Sequence, residues 1–111
     1  MSSHFTIRPF ASIEEFKDCV LFQEETWGEG FSERVAVAIL KVSQRLGGIA
    51  SGAYDAEGVL AGFIFGMTGI QDGQIVHWSD MLAVRPGLQD SGLGTRLKAY
   101  QRGGVNVYHR V

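Results

Sequence analysis

The segment from Val84 to Gly94, VRPGLQDSGLG, restricts the fold of this chain more than any other feature. It follows a long run of strand-forming residues and precedes a run with helical spacing that begins at Leu93. A strand that enters a helix through a turn and a glycine-rich loop brings several backbone N–H groups together at the positive end of the helix dipole. Such a point favours an anion, most often a phosphate.

The composition indicates one globular domain, residues 1–111. A hydrophobic fraction of 45% and a net charge of −2 exclude a disordered chain and a polybasic nucleic-acid binder, so we expect no nucleic-acid partner. The longest apolar run, residues 59–67, is far shorter than the ~20 residues of a membrane span, and the N-terminus does not resemble a signal peptide. We therefore expect no membrane association and a cytoplasmic location, which the single Cys19 fits.

Periodicity and turn residues predict the order β-α-α-β-β-β-α-β. This order corresponds to an α+β fold with a mixed, mostly antiparallel sheet flanked by helices. The turns at residues 55–58 and 71–74 imply antiparallel hairpins. The predicted strands span residues 5–8, 49–54, 59–67, 75–84 and 105–111.

Two helices are predicted between the first two strands. Ser12 with Glu15 forms a capping-box pattern at the start of the first helix. Ser32 is predicted to cap the second, whose apolar face would contain Val35, Ala38, Ile39, Val42 and Leu46.

Period-two alternation divides the side chains of the strand at residues 75–84 between two faces. One face is predicted to carry Val76, Trp78, Asp80, Leu82 and Val84. The opposite face is predicted to carry Ile75, His77, Ser79, Met81 and Ala83.

The glycine-rich segment lacks two familiar nucleotide-binding motifs. The third glycine of the Rossmann fingerprint is missing, and Gly94 is followed by Thr95-Arg96 where a P-loop has Lys and then Ser or Thr. Gln89-Asp90-Ser91-Gly92-Leu93-Gly94 instead resembles the acyl-coenzyme A loop of the GNAT superfamily of N-acetyltransferases. That loop reads Gln or Arg, two residues, Gly, one residue, then Gly or Ala. The element order resembles the first two thirds of the same family.

The resemblance implies an acetyl-CoA-dependent transfer of an acyl group to an amine, with acetyl-CoA or CoA as co-substrate and no metal. The acceptor would be a small-molecule or peptide amine. The pantetheine arm would pair with the strand at Leu82, Ala83 and Val84. The pyrophosphate would be held by Gln89, Asp90, Ser91, Gly92, Leu93, Gly94 and Thr95.

Charged side chains around this loop allow more than one interpretation. A carboxylate at Asp90 would repel a pyrophosphate, so we expect Asp90 to cap the helix and face away. Arg85 and Arg96 either offset the negative charge of the ligand or are simply solvated.

Asp80 is the candidate catalytic base. The family often carries an acid on the strand before the loop, about four residues before its last valine, and Asp80 has this position relative to Val84. A partly apolar setting would raise its pKa towards a useful range. The alternative is a structural carboxylate. His77 is a second candidate, although a lone histidine in a strand is usually structural, and the His and Cys residues show no metal-ligand spacing.

The resemblance ends near residue 104. A complete GNAT domain usually continues with a helix and two more strands, so the resemblance implies a C-terminally shortened domain. Missing strands would leave an open sheet edge, which we expect a second copy of the chain to cover in a homodimer. The alternative function is a non-catalytic CoA-binding or dimerisation module that has lost part of its active site.

Overall fold

The computed structural model describes residues 4–104 and 108–110. The strands are β1 (Thr6–Pro9), β2 (Ile49–Tyr54), β3 (Leu60–Gln71), β4 (Gln74–Val84) and β5 (Tyr108–Arg110). The helices are α1 (Ile13–Trp27), α2 (Val37–Arg45) and α3 (Leu93–Gly104). The predicted element order is therefore confirmed. Of the predicted last strand, only the part that forms β5 lies within the described residues.

The five strands form one sheet in the order β1-β2-β3-β4-β5. The first four are antiparallel neighbours, as the hairpin turns predict. β5 pairs in parallel with β4, at residues 76–78. The sheet is mixed and mostly antiparallel, and the predicted fold class is confirmed.

Helices cover both faces of this sheet and define two apolar cores. One core lies between the sheet and the helices α1 and α2, and includes Phe16, Cys19, Phe22, Leu40, Phe63, Phe65 and Ala83. The other lies beneath α3 and includes Ile49, Ala53, Ala61, Ile64, Leu93 and Leu97. No helix in the described ranges is long and apolar enough to cross a membrane.

A β-bulge interrupts the pairing of β3 with β4. Phe65 lies opposite Met81 and Gly66 lies opposite Ser79, so Asp80 is the extra residue of the bulge. Gly66 has no side chain, and this leaves the space that His77 and Gln101 occupy. A Cβ at Gly66 would lie 2.3 Å from Nε2 of His77.

The bulge makes the predicted division of β4 by face wrong. After the bulge the side chains alternate regularly. Leu82 and Val84 pack on the α3 side, while Met81 and Ala83 pack on the α1 side. His77, before the bulge, bonds to Gln101 of α3 and so shares the α3 side with Leu82 rather than with Ala83. The reason is that one extra residue reverses the inside–outside alternation of everything beyond it.

The predicted start of α1 is confirmed. The backbone N–H of Glu15 donates to Oγ of Ser12 at 3.2 Å. The carboxylate of Glu15 accepts from the N–H of Ala11 at 2.8 Å and forms a two-pronged pair with Arg8. That pair holds the pKa of Glu15 below its usual value, and it fastens the start of α1 to β1.

Both predictions for α2 are wrong. The helix begins after Ala36, not after Ser32, and Ala36 makes no side-chain cap. Leu40 and Ser43 are its buried residues, whereas Ile39, Val42 and Leu46 are 49%, 51% and 68% exposed. The side chain of Gln44 also faces inwards, because its Nε2 donates to the carbonyls of Phe10 and Ala50 at 3.0 and 2.7 Å. Tertiary contacts have here overruled apolar periodicity.

The variant Gly66→Ala is expected to lower the free energy of unfolding by about 1–3 kcal/mol, because the added methyl would overlap His77 and Gln101. Gly69→Ala is the matched control in the same strand, since a Cβ there meets nothing within 4 Å. Urea unfolding followed by tryptophan fluorescence measures both variants. Equal losses of stability in the two variants would contradict the placement of His77 and Gln101 over Gly66.

Candidate functional site

The loop between β4 and α3 is folded by consecutive backbone turns. The N–H of Leu88 donates to the carbonyl of Arg85 at 3.0 Å, and that of Ser91 donates to the carbonyl of Leu88 at 3.1 Å. Gly92 lies at the point where the loop enters the helix, and its φ is +85°. Residues other than glycine rarely adopt this backbone conformation. The sequence therefore places a glycine where the helix entry requires one.

The first turn of α3 leaves backbone donors without protein acceptors. The N–H of Leu93 donates to Oγ of Ser91 at 3.2 Å, and the N–H of Arg96 donates to the carbonyl of Gly92 at 3.0 Å. Within residues 4–104 and 108–110, no group accepts a hydrogen bond from the N–H of Gly94 or Thr95. These donors lie at the positive end of the helix dipole, where an anion is favoured.

A groove of about 480 Å³ lies beside these donors, and we call it the α3 groove. Its lining residues are Leu82, Gln89, Gly92, Gly94, Thr95, Lys98 and Arg102. Two of these side chains are cationic, and none of the lining residues in the described part of the chain is acidic. The α3 groove therefore combines free backbone donors, two positive charges and one apolar wall.

Five of the residues predicted to bind the cofactor line the α3 groove, namely Leu82, Gln89, Gly92, Gly94 and Thr95. The other five lie outside its wall. Ala83 is buried in the core beneath α1, while Leu93 is buried beneath α3 and Val84 packs against that same core. Asp90 and Ser91 are exposed on the loop.

Ser91, and not Asp90 as predicted, caps the start of α3. Oγ of Ser91 accepts from Leu93 and donates to the carbonyl of Leu88 at 2.6 Å. Ser91 therefore occupies the role expected for Asp90. Gln89 also acts within the loop, since its Oε1 accepts from the N–H of Gly87 at 2.9 Å.

The cations of the α3 groove are not the two arginines considered from the sequence. The guanidinium of Arg85 donates to the carbonyl of Leu60 at 2.9 Å, and that of Arg96 donates to the carbonyl of Phe5 at 3.2 Å. Neither of these arginines lines the groove. Lys98 and Arg102 line it instead. Their spacing of four and eight residues after Gly94 puts all three on one helix face, and this signal was present in the sequence.

A chain of hydrogen-bonded side chains runs from the α3 groove into the protein, and we call it the buried polar chain. Nζ of Lys98 donates to Oγ of Ser79 at 2.7 Å, and Ser79 donates to Oε1 of Gln101 at 3.1 Å. Nε2 of Gln101 lies 2.8 Å from Nε2 of His77. Nδ1 of His77 lies 3.1 Å from Oγ1 of Thr68, which donates to a backbone carbonyl.

Both ring nitrogens of His77 lie within the buried polar chain. Its Nε2 is within hydrogen-bond distance of Nε2 of Gln101, whose Oε1 accepts from Ser79. Its Nδ1 is within hydrogen-bond distance of Oγ1 of Thr68. His77 is 0% exposed and is not a lining residue of the groove.

Asp80 is the extra residue of the bulge in β4. Partial burial raises the pKa of its carboxyl above the ordinary value, and the negative charge of Glu33 raises it further. Glu33 belongs to the segment between α1 and α2, so that segment approaches Asp80. Asp80 does not line the α3 groove itself.

Aromatic packing shapes the segment between α1 and α2. Trp27 stacks on Phe31 with ring centroids 5.3 Å apart, and meets Phe63 of β3 edge-on at 6.2 Å. The buried amide of Gln23 fastens the same segment, since it donates to the carbonyl of Val35 and accepts from its N–H at 3.0 and 2.7 Å. The segment that contains Glu33 is therefore held in place from both ends.

Comparison with solved structures shows the fold. The chain superposes on an acetyltransferase from Trypanosoma brucei with a TM-score of 0.72 and 14% identity, covering 97% of this chain and 81% of that one. An aminoglycoside N-acetyltransferase, AAC(6')-Iy, solved with CoA, gives 0.67 and 16%, covering 100% and 79%. A GCN5-related glucosamine N-acetyltransferase region of a fungal multi-domain β-N-acetylglucosaminidase gives 0.71 and 17%, covering 96% of this chain but only 13% of that chain.

No protein-family model matches the sequence, and no curated protein matches it. Within the described residues, no group of three or more His, Cys, Asp or Glu side chains is arranged to hold a metal ion. The comparisons therefore establish one result, that this chain has the fold of the GNAT acetyltransferases.

Proposed function

We propose that this chain, with its GNAT fold, is a CoA-dependent N-acyltransferase domain that transfers an acetyl or related acyl group to an amine. The observation that carries the proposal is the α3 groove, in which the free N–H groups of Gly94 and Thr95 border two cations and no lining carboxylate. A diphosphate is the ligand group that best matches donors of this kind at a helix N-terminus. The solved relative with CoA supports the same co-substrate class.

The pantetheine arm would lie along β4 beyond the phosphates. Leu82 supplies the apolar wall of the groove, and β5 pairs with β4 only at residues 76–78 among the described residues. Backbone groups of Leu82 to Val84 are proposed to pair with the arm in the manner of an added strand. This direction carries the thioester from the glycines of the loop towards Asp80.

Asp80 is the proposed base. The acceptor nitrogen attacks the thioester carbonyl carbon, the new C–N bond forms, and the C–S bond breaks. The proton lost by the nitrogen passes to the carboxylate of Asp80, directly or through water, and the departing thiolate of CoA takes up a proton. The raised pKa of Asp80 makes its carboxylate a stronger proton acceptor than an ordinary aspartate.

The acceptor is proposed to be a small-molecule or peptide amine that approaches from the side of α1 and α2. The stacked Trp27 and Phe31 offer an apolar and aromatic surface there, and the carboxylates of Asp80 and Glu33 favour a cationic group. One solved relative is named as an aminoglycoside N-acetyltransferase, which illustrates an acceptor of this class.

The homodimer and the cytoplasmic location also remain proposals. The hairpin of β3 and β4 ends in two facing isoleucines, Ile70 and Ile75, which are 78% and 53% exposed. Trp78 of the same hairpin is 49% exposed. A second copy that covered this apolar tip would remove it from water.

Thr95→Glu is expected to weaken acetyl-CoA binding by roughly tenfold or more, because it puts a carboxylate beside the free amides of the α3 groove. Ala99→Glu is the matched control, since it adds the same charge to α3 at an exposed position outside the groove. Isothermal titration with acetyl-CoA measures both variants. Equal affinity in the two variants, or no binding by the unmodified chain, would contradict the proposed phosphate site.

Asp80→Asn is expected to slow the release of free CoA thiol by about 10²–10⁴-fold with little change in acetyl-CoA affinity, because it removes the proton acceptor alone. Asp72→Asn, in the exposed hairpin turn, is the control. The rate should rise as pH increases through the raised pKa of Asp80, and Glu33→Gln should move this rise to lower pH because one neighbouring negative charge is lost. An unchanged rate in Asp80→Asn would remove Asp80 from the role.

A further inference from the structure

The layer formed by α1 and α2 exposes apolar side chains that the core does not use. On the outward side of α2, Ile39, Val42 and Leu46 are about half exposed or more. On α1, Leu21 is 55% exposed. Isolated exposed apolar residues are ordinary, but several on two neighbouring helices form a patch of the kind that a partner covers. The outer side of this layer is therefore a candidate contact surface.

A groove of about 360 Å³ lies between α1 and the start of β3, and we call it the α1 groove. Leu21 and Val59 line it and are 55% and 53% exposed. Its charged lining residues are both acidic, Asp18 and Glu25. Asp18, Leu21 and Glu25 are spaced by three and four residues, so they lie on one stripe of the helix. The α1 groove is thus both apolar and negatively charged.

The outward side of α2 has the opposite charge. Lys41 and Arg45 are exposed and lie four residues apart on one stripe. Ala38 and Val42 lie between them and line the same shallow depression of about 280 Å³. The sequence of α2 contains no acidic residue, whereas α1 contains five acidic residues and a single basic one, Lys17. The two helices therefore present opposite charges next to apolar side chains.

The fold does not bring these opposite charges together. Within residues 4–104 and 108–110, no salt bridge involves either carboxylate of the α1 groove or either cation of α2. Two other carboxylates of α1, those of Glu15 and Glu24, do pair with arginines of the same chain. The charges left without an ion-pair partner thus lie on two separate surfaces that match each other in charge and in apolar character.

We propose that α2 of a second copy of the chain lies in the α1 groove. Its exposed apolar residues would meet the apolar wall of the groove, and its two cations would lie beside the two carboxylates. Charge complementarity selects this occupant, because opposite patches attract and like patches repel. This inference rests on the homo-oligomer of the proposed function, for which it names a contact surface, and not on the acyl transfer. The α3 groove lies on the other face of the sheet and stays open.

Apolar area and charge contribute differently to this contact. Removing the exposed aliphatic side chains from water supplies most of the attraction. Exposed ion pairs add little free energy each, but they decide which two surfaces meet. Added salt should therefore weaken the contact only in part, because screening acts on the charges and not on the apolar area.

The experiment is sedimentation equilibrium of the full chain and of two charge-reversed double variants. One variant, Asp18→Lys with Glu25→Lys, makes the α1 groove basic, and the other, Lys41→Glu with Arg45→Glu, makes α2 acidic. The unmodified chain is expected to self-associate at micromolar concentration, and each variant alone to associate roughly tenfold or more weakly. An equimolar mixture of the two variants should restore association, since each then offers the charge that the other requires.

The mixture is the decisive sample, because variants that had merely lost their structure would not restore association together. A monomeric unmodified chain, unchanged association of both variants, or a mixture that stays monomeric would overturn the contact. All four substituted positions are exposed. If circular dichroism nevertheless shows a double variant to be unfolded, Asp18→Lys and Lys41→Glu are mixed in the same way and decide.

A further variant separates this contact from the hairpin tip. Ile70→Glu puts a charge on the tip of the β3–β4 hairpin and should leave the association in place. Loss of association in Ile70→Glu, with both charge-reversed variants unaffected, would overturn the contact between α1 and α2 and leave the proposed homodimer standing. Titration of the same samples with acetyl-CoA tests the proposed acyltransferase independently, since its site lies on the other face of the sheet.

Discussion

The β-bulge at Asp80 is the constraint on which the rest of the site depends. With a regular strand, Ser79 would share a face with Ala83, and it would then lie beneath α1 instead of α3. The bulge puts Ser79 and His77 on the α3 side together with Leu82 and Val84. The same insertion separates Asp80 from the α3 groove and brings it near Glu33. One extra residue thus puts the proposed base and the proposed co-substrate groove on opposite faces of the sheet.

The proposed function assigns the two substrates to different faces of the sheet. The α3 side offers free backbone donors, Lys98 and Arg102, and suits an anionic co-substrate. The side of α1 and α2 offers aromatic rings with the carboxylates of Asp80 and Glu33, and suits an amine. Opposite potentials on the two sides would keep each substrate from the other's place. The thioester carbonyl is proposed to lie where the faces meet, at the bulge.

Local signals in the sequence were sufficient for the element order and for the strand–loop–helix unit. Gly92 and the turn residues specify their own backbone conformations, so Val84 to Gly94 could be interpreted without knowledge of the fold. Long-range bonds decided what the sequence missed. In α2 Gln44 bonds to Phe10 and Ala50 while Ile39 faces solvent, and the bulge exchanges the faces of β4. Neither effect leaves a periodic signal, because each depends on a partner distant in the chain.

The predicted site shows the same division between local and long-range information. Half of the residues predicted for the cofactor line the α3 groove, because helix entry at Gly92 is a local property. The roles of Asp80 and of the loop residues remain predictions. From the sequence, Lys98 is only a positive charge in the second half of a predicted helix. Its contact with Ser79 could not be predicted, because it depends on the bulge.

The most direct measurement of the central claim is a titration of ¹⁵N-labelled protein with CoA, followed by the backbone amide resonances. We expect the amide protons of Gly94 and Thr95 to shift the most, and desulfo-CoA to give the same pattern because the diphosphate is responsible. Saturating shifts confined to other parts of the chain, with Gly94 and Thr95 unmoved, would show that the start of α3 does not bind the diphosphate.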